Sequence, residues 1–404
     1  MHRIQHTLTI TLFLVVLGNP VLSGATEFAV PNNGSPYKSL SELETGQILH
    51  LPTGVVVTQK QLMDTVSTSR VIYIGETHDN LEAHRVQMEI IRDLHARYPG
   101  KVAVGMEMFR RPAQNQLDLW HEGKLTDRQF RKLFRENWGL GIQLYRPIFD
   151  YLKAQRIPLL GLKSGESLEQ RLREGGLEQE GLPDIDADDP YHRAYSMALF
   201  GGHASHSTEG FHPYHMLLLW EESMAEAVAE FLTDDRYPDW KLVVLAGGFH
   251  VQYGYGIPKR AFRRVPHAYS IVLPTVTEIP TELKDREMKF ESTGIPLYSA
   301  DFGWKLDYVV PPPLRIRLGV YLEDHDDGLR VVRVMPNSNA ERMGLKKNDL
   351  IQKLNGIRVV DTEELTSRLQ QHDFGETVRV HVMRDEREVQ VEGVLQQMTE
   401  PHTE

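Results

Sequence analysis

Four short apolar runs constrain the fold of this chain more than anything else in it: "VIYIG" from residue 71, "VAVGMEM" from 102, "IPLLGLK" from 157 and "KLVVLAGG" from 241. Between them lie helix-period patterns over residues 81–98, on to about residue 155, and over 214–232. Strands that alternate with helices return to the sheet in the same direction, so the chain predicts an α/β fold: a mostly parallel sheet flanked by helices. "YSIVLPTV" at 269–276 adds another strand. Thr126, with Gln129 three residues on, forms a capping-box pattern and marks a helix start.

The 404 residues exceed one ordinary core, and 41% hydrophobic with 25% charged residues suits folded protein. Three consecutive prolines in "YVVPPPLRIRL" make a stiff joint without backbone donors. Beyond it the pattern predicts strands at 315–322, 329–335, 350–354, 377–383 and 388–394, with helices at 338–343 and 361–371. The expected division is therefore 1–25 as a secretory signal, 26–310 as the α/β domain and 314–398 as a small β-rich domain. Residues 165–215, rich in Gly, Asp, Pro and His, read as an irregular insertion with one helix near 188–200, placed to act as a lid.

Arg3, an apolar stretch from about Leu8 to Leu17 and small residues at Ser23, Gly24 and Ala25 give the N-terminus the form of a signal peptide. An uncleaved anchor is the alternative, although the run is shorter than the ~20 residues of a spanning helix. The chain has no cysteine, which leaves neither a disulfide framework nor a thiol for lipid attachment. The expected location is periplasmic or in the cell envelope, soluble once the signal is removed. A net charge of −11 argues against nucleic acid as a partner, apart from the local basic patch "KRAFRR" at 259–264.

Two of the apolar runs end in a Gly-x-x-His: Gly75 to His78 and Gly247 to His250. Parallel sheets place their ligand crevices at the carboxyl ends of strands. Glu76 lies in the first motif, and Glu107 follows Val102, Val104 and Met106 in a run too apolar to face water. If these strands are neighbours, Glu76, His78, Glu107 and His250 converge. The four could bind Zn²⁺ or Mn²⁺, or three could bind while one serves as a general base. His84 could join them. The alternative is structural: histidines that cap helices, and glutamates paired with arginines such as Arg110 or Arg111. A second cluster, "GGHASHSTEGFHPYH", offers His203, His206, His212, His215 and Tyr214 for a metal or a haem iron, or simply a mobile loop of solvated histidines.

With these motifs in view, the first domain resembles the ChaN-like haem-binding family, grouped with the Tiki proteases, TraB-like proteins and erythromycin esterases. The resemblance rests on "IGETHDNLEAHRVQ", "VGMEMFRRPAQNQLD", "NWG" with "YRPIFDYLKAQRIPLLGL", "LWEESMAEAV" and "LAGGFHVQYGYGIPKRA". It implies haem as the cofactor in iron-regulated members, held by a tyrosine, with paired haems between protomers and hence a homodimer. Tyr191, Tyr195, Tyr214 and His215 are the candidate haem-binding residues. The wider superfamily implies a metal or hydrolytic site on Glu76, His78, Glu107 and His250. Lys163 departs from the pattern, where an Asn is expected. The C-terminal segment resembles a bacterial-type PDZ domain through "RLGVYL", "VMPNSNAERMGLKKNDLIQKLNGIRV" and "TEELTSRL". That resemblance implies a groove in which Leu318, Gly319 and Val320 hold a protein or peptide C-terminus and Leu365 lines the side-chain pocket; the alternative is a PDZ fold that only packs against the first domain. Two functions follow as expectations: an exported haem- or iron-handling protein whose PDZ module recruits a partner, or a metal-dependent hydrolase, peptidase or esterase, using the four strand-end residues.

Overall fold

A computed structural model describes residues 40–199, 213–286, 295, 297–312 and 314–398. The expected signal segment and His203, His206 and His212 lie outside the described residues. The first sheet contains β1 (Ile48–His50), β2 (Val55–Val57), β3 (Val71–Glu76), β4 (Val102–Arg110), β5 (Leu159–Lys163), β6 (Lys241–Gly247), β7 (Tyr269–Val276) and β8 (Phe302–Leu306). Their order is β2-β1-β8-β7-β3-β6-β4-β5. The pairs from β8 through to β5 are parallel, and at the other edge β1 pairs antiparallel with both β2 and β8.

Helices α1 (Gln59–Val66), α2 (Leu81–Arg97), α3 (Gln114–His121), α4 (Asp127–Asn137), α5 (Ile142–Gln155), α6 (Glu166–Gly175), α7 (Pro190–Leu199), α8 (Pro213–Thr233) and α9 (Ile257–Arg264) accompany it. Ile72 and Ile74 of β3 enter a core with Val86 and Ile90 of α2 and Phe149 and Leu152 of α5. The alternate residues Val71 and Tyr73 enter a second core with Met224 and Val228 of α8 and Ile257 and Ala261 of α9. Successive strand side chains point to opposite faces, and both faces are covered, which is why the run is apolar throughout rather than alternating. Each such burial contributes roughly 1.5–3 kcal/mol. The Thr126–Gln129 capping box forms at the start of α4.

Beyond the joint, β9 (Val320–His325), β10 (Gly328–Val334), β11 (Leu350–Leu354), β12 (Ile357–Arg358), β13 (Thr377–Arg384) and β14 (Arg387–Val394) form a separate antiparallel sheet, with α10 (Asn339–Arg342) and α11 (Thr362–Leu369). The strand expected at 315–322 begins only at Val320. Gly319 has φ +79°, a left-handed conformation that ends strand geometry and that glycine adopts without a Cβ clash. Residues 315–319 form a loop instead, tied down by Met335 N–H to the Gly319 carbonyl and Ala340 N–H to the Leu318 carbonyl, 2.9 and 2.7 Å.

One face of α4 joins the two sheets' domains. Arg128 donates to the carbonyls of His325 and Asp326, each at 3.0 Å, Arg131 donates to Asp361 at 2.7 Å, and Arg135 pairs with Asp324. The opposite face buries Phe130, Leu133 and Phe134 in the first core.

Candidate functional site

The two Gly-x-x-His strand ends meet. β3 and β6 are neighbours with Glu76 opposite Gly247, and β4 lies on the far side of β6 with Met106 opposite Leu245. Glu76, His78, Glu107 and His250 thus share the carboxyl end of the sheet, with Lys163 at the end of β5. Gly247 allows the closeness: a Cβ there would stand 3.0 Å from His78 Nε2 and 3.6 Å from Glu107 Oε2.

Glu76 is buried and surrounded. His78 Nδ1 lies 2.7 Å from its Oε1, Tyr145 donates to the same oxygen at 2.6 Å, and Gln87 donates to Oε2 at 2.5 Å. His84 does join: its Nδ1 lies 3.4 Å from Glu76 Oε2 and its Nε2 3.1 Å from the His78 carbonyl. Burial opposes the charge on Glu76, yet His84, His78 and the Tyr145 hydroxyl outweigh it and hold the carboxyl below its ordinary range. Burial also opposes the His78 cation, and the Glu76 and Glu107 carboxylates overcome it and raise the pKa of the ring. His78 is the open member of the set, with 41% of its side chain exposed.

Glu107 accepts from the Gly247 amide at 2.8 Å and lies 3.4 Å from His250 Nε2. The other ring nitrogen of His250 lies 3.2 Å from Glu221 of α8. Burial would discharge this imidazole, but Glu107 and Glu221 push its pKa up to about 10. Burial likewise opposes the charges on Glu107 and Glu221, and His250 and His192 respectively bring both well below the carboxylate range. Glu221 also lies 2.7 Å from His192 Nε2 and 3.3 Å from Arg260 Nε.

The four residues read as a metal-ligand set therefore converge but pair with each other. Among the described residues, no three His, Cys, Asp or Glu side chains are placed to hold a metal ion. The physical reason is the donor supply: the Glu76 oxygens face His78, His84, Gln87 and Tyr145, and those of Glu107 face an amide and an imidazole. Arg110 and Arg111 serve other acids, Glu169 and the Glu226–Glu230 pair. The basic patch at 259–264 turns inward, where Arg260, Arg263 and Arg264 meet Glu222.

Of the candidate haem-binding residues, Tyr191 is 57% exposed, while Tyr195 and Tyr214 are buried. The Tyr195 hydroxyl donates to Gln252 at 2.7 Å, and Tyr214 lies 3.0 Å from His192 Nδ1, with burial pushing its phenol up to about 12. His215 sits beside Tyr214, ring centres 6.5 Å apart. Tyr191 instead joins a group that sequence reasoning did not single out: it stacks on Tyr255 at 6.1 Å, Tyr255 stacks on Tyr253 at 5.7 Å, and Tyr195 meets Tyr253 edge-on at 5.3 Å. The signal was present in "VQYGYG", directly after His250. Glu221, His192 and Arg260 were also missed. Two adjacent glutamates inside the apolar helix "LLLWEES", opposite an arginine-rich helix, were the available clue. Tyr145 and Gln87 gave none.

In the second domain Leu318 and Leu365 are buried, at 3% and 2% exposure. Gln370, just past α11, donates to the Ile316 carbonyl at 2.7 Å, and Thr362 at the other end of the helix reaches Asp324 at 3.4 Å. α11 thus runs antiparallel to β9, with Leu318, Gly319 and Val320 at one end of the pair and α4 at the other.

Fold and site together define a parallel α/β domain with paired carboxylates and imidazoles at its strand ends, joined to a small antiparallel β domain. Residues 62–261 match the family described as haem-binding uptake, Tiki superfamily, ChaN, and residues 317–393 match the PDZ domain. The chain carries a ChaN-like domain of the Tiki superfamily followed by a PDZ domain. Among solved structures it is similar to ChaN of Campylobacter jejuni with cofacial haem, at 16% identity over 64% of this chain and 95% of that one, TM-score 0.47. It is also similar to the HtrA-type protease AlgW with a decapeptide, at 19% identity over 22% of this chain and 30% of that one, TM-score 0.21. A third is the HtrA3 PDZ domain bound to the phage-derived ligand FGRWV, at 22% identity over 20% of this chain and 86% of that one, TM-score 0.19. No curated protein matches the chain.

Proposed function

We propose that this is an exported, envelope-located protein whose first domain binds haem and whose PDZ domain docks the C-terminus of a partner. The observation that carries the haem reading is the tyrosine face formed by Tyr191, Tyr195, Tyr253 and Tyr255. A haem needs a flat apolar wall and an axial ligand, and an exposed phenol on an aromatic stack offers both. Tyr255, packed between Tyr191 and Tyr253, supplies the middle ring of that wall. Tyr191 is the best placed of the candidates to reach an iron, because the hydroxyls of Tyr195 and Tyr214 are already engaged. Bound haem supplies the iron chemistry; the protein's part is to ligate, wall and release it.

The test is a haemin titration of the full chain followed by absorbance, with sedimentation to read any haem-linked homodimer. A saturable Soret shift that Tyr191→Phe weakens supports the proposal. Absence of saturation, or an unchanged curve in both Tyr191→Phe and Tyr255→Phe, rejects it.

One observation favours hydrolysis as a second reading. Glu76 fixes His78 through Nδ1 and leaves Nε2 facing the crevice, the arrangement of an oriented general base. In this reading His78 takes a proton from water directly, without a divalent metal. Ester or peptide turnover lost in both His78→Gln and Glu76→Gln would support it; turnover that survives His78→Gln would end it.

A further inference from the structure

Lys163 ends β5 with its ammonium over two indoles, 5.1 Å from the centre of Trp138 and 4.3 Å from that of Trp220. Among the described residues no oxygen accepts a hydrogen bond from it. The acids nearby are committed elsewhere: Glu107 to His250 and the Gly247 amide, Glu169 to Arg110, Ser164 and Trp220. An ammonium carries three N–H donors, and cation–π contacts return only about 0.5–2 kcal/mol of its lost hydration. Half-buried between two rings, this lysine keeps unused donors.

The same Trp138 ring packs edge-on against His78, centres 4.9 Å apart. His78 is held through Nδ1 and exposes its other edge. Two nitrogen groups from the ends of β5 and β3, with β4 and β6 between them in the sheet, therefore flank one indole: Lys163 lies over Trp138 and His78 meets its edge, with Trp220 as a second apolar wall. A cation has nothing to gain beside Lys163, whereas a carboxylate would be met by charge-assisted donors, with an apolar body against the indoles.

We propose that Lys163, His78, Trp138 and Trp220 form a binding site for a carboxylate with an apolar body. Two sources share this chemistry: a free organic acid, or a propionate arm of haem, the second of which rests on the haem reading above. Lys163 sets the preference, and an asparagine there would lack the charge.

The probe is benzoate, titrated into the full chain and read by tryptophan emission. The wild type is expected to saturate, and Lys163→Met to bind at least about tenfold more weakly with an unchanged thermal midpoint. Should that variant fail to fold, protection of the Lys163 amine from acetylation by benzoate, read by mass spectrometry on the wild type, decides the same question. Haemin and its dimethyl ester separate the sources: a preference for haemin that vanishes in Lys163→Met identifies the propionate, and benzoate binding without that preference identifies a free acid. Benzoate binding in a chain that ignores haemin would sink the haem reading and leave this site standing. If neither probe responds to Lys163, the site does not exist.

Discussion

Glu221 of α8 lies 3.2 Å from Nδ1 of His250, and with Glu107 on the opposite side it makes the strand-end imidazole a buried cation. Removing that charge by Glu221→Gln takes one of the two carboxylates from His250 and one of the two from Arg260, leaving Glu107 and Glu222. Breaking a buried pair costs about 3–5 kcal/mol. Urea unfolding should show a loss of that order; a loss below about 1 kcal/mol, the range of a surface pair, would mean that Glu221 is not charged.

Stability should depend on pH in both directions. His250 is raised from 6.5 to about 10, so its contribution is complete below 6.5 and is lost as pH rises through 10. Glu76, Glu107 and Glu221 are lowered from 4.5, so theirs is present above 4.5 and is lost as pH falls through their depressed folded-state values. The thermal midpoint should be highest between those two ordinary values, near pH 4.5–6.5. A midpoint that stays level from pH 6.5 to 10 would contradict the assignment.

Gly247→Ala tests how tightly the strand ends fit. Its methyl would stand 3.0 Å from His78 Nε2, tighter than most packed contacts, so the imidazole must give by a few tenths of an ångström, at the expense of its bond to Glu76. The NMR titration of His78 should then fall back toward its ordinary value. An unchanged titration would show that the crevice has room to spare.

Strands β3 to β7 were legible because they are largely buried on both faces, so that their apolar runs cannot belong to anything else; Val71 to Ile74 show this most plainly, whereas β2 leaves Val55 and Val56 exposed and β8 was not foreseen. Glu76, His78, Glu107 and His250 were legible as a group because each follows such a run. What they do to one another was not legible, since it depends on Tyr145 and Glu221, which reach the site from helices distant in sequence from the strands they serve, and on Gln87, whose neutral side chain on the helix after β3 carries no signal of its own. The tyrosine face escaped notice for a related reason: Tyr191 stacks on Tyr255 across 64 positions, and sequence spacing does not reveal such a contact. Gly319 shows a third kind of limit, because one backbone angle shortened a strand whose side-chain pattern continued through it.

Arg131→Ala should loosen the contact between the two domains. Asp361 is 3% exposed, caps α11 through one oxygen and depends on Arg131 for the other. Leaving that oxygen unsatisfied costs about 1–3 kcal/mol. Calorimetry should resolve two unfolding transitions in the variant where the wild type has more nearly one, and amide exchange should rise at the start of α11. Identical thermograms would show that the interface holds without this pair.

Gly319→Ala should abolish docking in the PDZ groove. At φ +79° an added Cβ is strained by about 1–2 kcal/mol, and it meets Ser338 and Met398. Fluorescence polarisation with a labelled peptide that ends in an apolar residue with a free carboxylate should show binding to the wild type alone, while haemin binding is unchanged. Equal binding by the variant would remove the Leu318–Val320 loop from the proposed groove.

α4 has a consequence for reach. Its outer face ties down the far end of β9 through Arg135 and Asp324, and Trp138, the residue just past its last turn, forms part of the crevice around His78. From Arg135 to Trp138 is less than one helical turn, about 5 Å. On the docking reading proposed above, a peptide lying along β9 would approach α4 within one turn of Trp138, so α4 is the piece of structure through which each domain would feel the other's occupant.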